Sequence, residues 1–147
     1  MNKFINRLPL DIVLQIIPYT YNLQNKNLLE DIVNYTETKK ILFELYYKFW
    51  MIDLISLDPQ EDKNWLINDI SAYANGYNAT MYGYIDQFYN IFRRNIFLQS
   101  NQKIDKYLDQ LEKKDVSTQI NIFLGFLTIK ERKDIILASP TSEEFFL

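Results

Sequence analysis

Apolar residues recur at intervals of three and four along almost the whole chain, which places them on one side of a succession of α-helices. Only three Gly and four Pro occur in 147 residues, too few for the regular tight turns of a β-sandwich. A chain of this length can bury roughly 68–70% of its unfolded surface around one core. The spacing therefore predicts an all-α fold, a compact single-domain helical bundle of about six to seven helices. That domain is expected over residues 1–138, with residues 139–147 as a flexible acidic and aromatic tail.

Pro9 suits a first helical position, Asp11 suits the positive end of the helix dipole, and Pro18 closes the segment. Leu28, Leu29, Ile32 and Val33 outline a second short amphipathic segment. Thr36 or Thr38 is then expected to cap a helix carrying Ile41, Leu42, Leu45, Phe49, Ile52 and Ile55. Because Phe43, Tyr46, Tyr47, Trp50 and Met51 fill its other faces, that helix is expected at the centre of the bundle. Asp58-Pro59-Gln60-Glu61 reads as a capping-box-like start, and Asn75-Gly76 as a helix end. A long helix with Met81, Ile85, Phe88, Phe92 and Ile96 is expected from near Ala79, with Gly83 inside it. Ile104, Leu108 and Leu111 mark the next helix, and Ser117 is placed to cap one with Ile120, Phe123, Leu124 and Leu127. Thr128 with Glu131 forms a second capping box, opening a final helix that Pro140 stops.

The residue types present exclude much chemistry. With no Cys and no His in the sequence, disulfides, thiolate metal sites and histidine-based triads cannot be built from these residues. No glycine-rich phosphate loop is present. Asp105 with Asp109, and Asp58 with Asp62, are carboxylate pairs four residues apart, a spacing common on solvated helices. No cofactor or metal is expected, and no catalytic residue stands out. A net charge of −3, with basic doublets scattered at Lys39–Lys40, Arg93–Arg94 and Lys113–Lys114, argues against binding nucleic acid. Glu44, Lys48 and Asp53 interrupt the most apolar stretch, so no membrane span is expected. The aromatic series Tyr73, Tyr77, Tyr84, Phe88, Tyr89 and Phe92 reads as core and core rim. An acidic run ending in aromatics, Glu143-Glu144-Phe145-Phe146-Leu147, has the character of a docking segment.

One segment carries a family resemblance. Leu8-Pro9, Asp11, Val13, Ile16 and Tyr19 resemble the opening of an F-box, and Leu28-Leu29 falls where its second helix would begin. The Cys-Lys-Arg-Trp-like end of that motif is absent, and Asn34-Tyr35-Thr36 stands in its place. With its abundant Asn, Ile, Lys and Tyr, the block from Leu8 to Trp50 is similar to short F-box-like proteins of large nucleocytoplasmic DNA viruses. The resemblance implies a Skp1-type adaptor as partner, contacted through Leu8, Pro9, Val13, Ile16 and Ile17.

The expected function is thus a non-enzymatic protein–protein interaction module, intracellular, in the host cytoplasm if viral. The alternative is a self-associating structural or virion component, joined through aromatic residues of the Phe43–Trp50 or Tyr77–Tyr89 regions.

Overall fold

The computed structural model describes residues 26–140. The expected helix bearing Leu8, Pro9, Val13, Ile16 and Ile17, and the tail residues 141–147, lie outside the described residues. The chain divides between Val33 and Asn34 into two units. Of the first, residues 26–33 are described, and they are helical.

Among the described residues there are six α-helices and no strand. They are α1 Lys26–Tyr47, α2 Glu61–Ala74, α3 Asp86–Phe92, α4 Asn101–Leu111, α5 Val116–Phe126 and α6 Ile129–Ala138. The all-α class read from the spacing is the class observed. No helix among the described residues is long and apolar enough to cross a membrane.

Helix α1 corrects the expected break at Thr36–Thr38. No Gly or Pro lies between Leu28 and Trp50, so nothing forces the chain out of helical geometry. Thr38 is buried within the helix instead of capping it, and its hydroxyl donates to Asn34 Oδ1 at 3.4 Å. The chain then widens into a π-helical turn, Lys48–Asp53. The segment is one-sided: Leu42, Tyr46 and Phe49 are buried, whereas Ile41, Tyr47 and Ile52 are exposed. It therefore borders the core, contrary to the central position expected of it.

Helix α2 supplies Leu66, Ile70 and Ala74 to the core and makes its most extensive packing against α5. It begins later than expected, at Glu61. Asp58 accepts from the Gln60 backbone N–H at 2.9 Å, a turn ahead of the helix, while Glu61 accepts from Trp65 Nε1. The helix ends at Asn75-Gly76 as predicted, with Gly76 at φ 61°.

The expected long helix from Ala79 is not formed. Gly83 adopts φ 105° and ψ 174°, a conformation open to almost no residue but glycine, and it separates a 3₁₀ turn at Thr80–Tyr82 from the two-turn α3. Asn75, fully buried, holds this connection together. Its Nδ2 donates to the carbonyls of Asn78 at 2.9 Å and Gly83 at 3.2 Å, and its Oδ1 accepts from the Ile85 N–H at 2.8 Å.

The last three helices follow their sequence signals closely. Ser100 caps α4 by accepting from the Lys103 N–H. Ile104, Leu108, Leu111, Ile120, Phe123, Leu124 and Leu127 are all buried. The α5 cap is Asp115, which accepts from the Thr118 N–H, two residues before the expected Ser117. Thr128 and Glu131 form the reciprocal capping box of α6. Phe88 and Phe92 reach across from α3, and Phe92 meets Phe123 at 5.1 Å and Phe126 at 4.7 Å between ring centroids.

The charged run at the start of α6 hides a core residue. Arg132 is 1% exposed. Its Nε donates to the Leu124 carbonyl at 2.9 Å and its Nη1 to Asn34 Oδ1 at 3.2 Å, with the guanidinium 5.5 Å from the Tyr35 ring centre. Tyr35 in turn donates to the Asn121 carbonyl at 3.0 Å. Arg132→Ala should lower unfolding free energy by about 3 kcal/mol, read by urea denaturation, because it empties a packed site and takes a charged donor from the Leu124 carbonyl and from Asn34. Asn75→Asp should cost about 2 kcal/mol in the same assay, because a carboxylate can donate to neither Asn78 nor Gly83.

Candidate functional site

Helix α4 and the turn that follows it segregate their side chains into three stripes. Ile104, Leu108 and Leu111 face the core. Asp105, Asp109 and Glu112 lie along one flank, and Lys103, Lys106 and Lys114 line a hollow on the other with Tyr107 and Gln110. The pattern follows from helical periodicity, since residues 103, 106, 107 and 110 fall on one side of the axis, and Lys114 joins them from the turn after the helix.

The acidic flank is engaged within the fold. Asp105 accepts from the Tyr89 hydroxyl at 2.8 Å. Burial, and then the charges on Glu112, Asp105 and Asp109, hold the Tyr84 hydroxyl above the usual tyrosine range. The Asp105–Asp109 pair seen in the sequence thus shares one face, and its first member anchors a tyrosine.

The basic flank is left open. Phe97, Leu98, Tyr107 and Leu111 form the apolar surface of a hollow of about 380 Å³, edged by Lys103, Lys106 and Lys114 with Gln110. No acidic side chain lines it, and none of the three lysines forms an ion pair among the described residues. Leu98 is buried, but Phe97 and its neighbour Ile96 are each 77% exposed. Ile96 was expected in the core of a long helix. It is displaced because α3 ends at Phe92 and the chain turns through Asn95, whose Oδ1 accepts from the Phe97 N–H at 2.8 Å.

A second cleft, of about 300 Å³, lies between α2, α4 and α5. It is lined by Asn64, Asn68, Ser71 and Gln119 with the stacked pair Tyr84–Phe88, and Glu112 is its one ionisable carboxylate. Among the described residues no group of three acidic side chains is placed to hold a metal ion.

The aromatic regions weighed for self-association are partly committed internally. Trp50 stacks on Trp65 at 4.9 Å with parallel rings, and Lys63 lies 6.0 Å from the Phe43 ring centre. Phe88 is buried, and Tyr84 and Tyr89 are half-buried against it. The series from Tyr73 to Phe92 is core and core rim as read, apart from Tyr77, which is exposed. The sequence-predicted partner residues Leu8, Pro9, Val13, Ile16 and Ile17 are outside the described residues, so the hollow beside α4 is a surface that the spacing did not single out. The signal was present in the alternation of Lys and Asp along α4, which a plain apolar count overlooks.

Comparison with family models, with curated proteins and with solved structures finds no match to this chain.

The exposed ring of Phe97 contributes little to holding the fold. Phe97→Ser should leave the unfolding free energy within about 0.5 kcal/mol of wild type, whereas Leu98→Ala should cost about 2–3 kcal/mol. Parallel thermal melts of the two variants check the contrast.

Proposed function

We propose that the protein is a non-enzymatic interaction module whose α4 face receives an acidic segment bearing bulky apolar side chains from a protein partner. The observation that carries this reading is an apolar hollow edged by three lysines that have no ion-pair partner among the described residues, with an exposed phenylalanine beside it. Apolar side chains in the hollow would supply affinity, and the lysine rim would select for negative charge and speed encounter.

The resemblance of Leu8-Pro9, Asp11, Val13, Ile16 and Tyr19 to an F-box opening supports a more specific form of the same reading. In that form the protein is a viral adaptor that binds a Skp1-type partner through Leu8, Pro9, Val13, Ile16 and Ile17, and the α4 face recruits the second protein. The exposed side chains of Ile52, Ile55 and Leu57, with Ile55 at φ 51°, favour a second reading in which copies of the chain associate as a structural or virion component.

A fluorescent peptide of sequence Thr-Ser-Glu-Glu-Phe-Phe-Leu, and its Gln-Gln counterpart, test the α4 face by anisotropy. The acidic peptide should bind at least about fivefold more tightly, and Lys106→Glu should abolish the difference. Equal binding of both peptides would remove the basis for this docking surface. Affinity purification beside a Leu8→Asp variant separates the two finer readings. A Skp1-type adaptor recovered only with wild type supports the first, and recovery of the chain alone supports self-association.

A further inference from the structure

Away from α4, a smaller hollow of about 180 Å³ is enclosed by Tyr46, Tyr73 and Tyr77, with Asp69, Ala72 and Ile135 completing most of its wall. Tyr46 is 1% exposed and closes the deep side. Its hydroxyl donates to Asp69 Oδ2 at 2.7 Å, and that of Tyr73 donates to Asp134 Oδ2 at 2.8 Å. The rings of Tyr73 and Tyr77 stand nearly perpendicular, at 84° with centroids 6.2 Å apart, and so form adjacent walls.

Asp69 is partly buried, and no basic side chain pairs with it among the described residues. Among the described residues no Lys or Arg lines the hollow. Tyr77, meanwhile, is held at φ 62°, a left-handed conformation that a bulky side chain rarely adopts. The backbone around it is fixed by the Tyr77 N–H to the Ala72 carbonyl at 2.7 Å and by Asn75. Strain of this kind persists where the surroundings over-determine it, and here it keeps an exposed ring against the hollow.

We propose that this hollow is a recognition site for a methylated ammonium group, with Tyr46, Tyr73 and Tyr77 as an aromatic cage and Asp69 as its counter-charge. Aromatic faces attract a cation placed within about 6 Å of the ring centre. A methylated cation suits the site better than a bare ammonium, which would have to give up hydrogen bonds to water against walls of ring carbon and alanine methyl. A neutral apolar group would bury the Asp69 charge without compensation. The same head group is carried by free small molecules such as choline and by methylated lysine on a protein.

Calorimetric titration of the full chain with choline, with its uncharged isostere 3,3-dimethyl-1-butanol, and with a peptide bearing trimethyllysine tests the assignment. Choline should bind at least about tenfold more tightly than the isostere. Tyr77→Ala should weaken choline by about tenfold with an unchanged thermal melt, because Tyr77 is exposed. Asp69→Asn, which keeps an acceptor for Tyr46, should bind choline more weakly and the isostere at least as tightly as wild type does, since no charge is then buried. A peptide that binds more tightly than choline assigns the site to a protein-borne methyllysine, and equal affinities assign it to a free head group. Isostere and choline binding alike, or choline binding indifferent to both substitutions, would overturn the proposal.

Discussion

The second unit of the fold is tied together at one buried cation. Arg132 brings α1, α5 and α6 to a single point, through Asn34, the Leu124 carbonyl and its own helix. Leu124 lies in the last turn of α5, where carbonyls lack the usual partner four residues on, and its carbonyl accepts both from the Leu127 N–H at 3.2 Å and from the guanidinium. Arg94, at the surface, donates to the Phe126 carbonyl two residues further on at 2.8 Å while it pairs with Glu131. Burial alone would push the Glu131 carboxyl up, but the hydrogen bond from Arg94 and that from the Thr128 N–H outweigh it and hold the group low. Two positive side chains at the negative end of α5 also suit its dipole. Because α5 is the helix on which α2 packs most extensively, its C-terminal end sets the position of much of the core.

What the sequence disclosed and what it hid divide along a physical line. Local signals were legible: the Thr128–Glu131 capping box, the Ile104/Leu108/Leu111 stripe and the stop at Asn75-Gly76 each act within a few residues of themselves. Long-range requirements were not. Arg132 sits in Lys130-Glu131-Arg132-Lys133-Asp134, a run that reads as a solvated face, and only the approach of Asn34 and Tyr35 from nearly a hundred residues away makes it a core residue. Thr38 resembled a cap because capping and burial use the same small hydroxyl, and the choice between them lies in the tertiary contacts of α1.

The candidate surface was hidden for a related reason. Its lysines were visible, but the apolar part depends on Phe97 and Leu98, which follow an irregular turn rather than the helix that the spacing of Phe88, Phe92 and Ile96 predicts. A three- and four-residue pattern can continue by chance through a turn, and Gly83 gives no warning of whether it will be tolerated in a helix or used to end one. Because α3 ends at Phe92, Ile96 lies in solvent instead of the core, with Phe97 exposed beside it. The exposed apolar surface beside α4 thus follows from the end of α3 at Phe92 and the turn at Asn95.

The same economy of backbone connects Asn75 to the tyrosine hollow. A single buried carboxamide makes three hydrogen bonds across the loop from Asn75 to Ile85, and these fix a path in which Gly76 and Tyr77 both take positive φ. For Gly76 that geometry is inexpensive, since no Cβ opposes it. For Tyr77 it is not, and a Gly or Asn at position 77 would terminate α2 with less strain. What a tyrosine adds there is a ring at right angles to Tyr73, beside a carboxylate that has a tyrosine hydroxyl but, among the described residues, no cation against it. Burial raises the Asp69 pKa while the Tyr46 hydrogen bond lowers it, so the folded state carries a half-buried acid that favours either a proton or a positive partner. A backbone strained to place an aromatic ring, and a buried acid left without a counter-charge, both cost stability, and one bound cation would offset both.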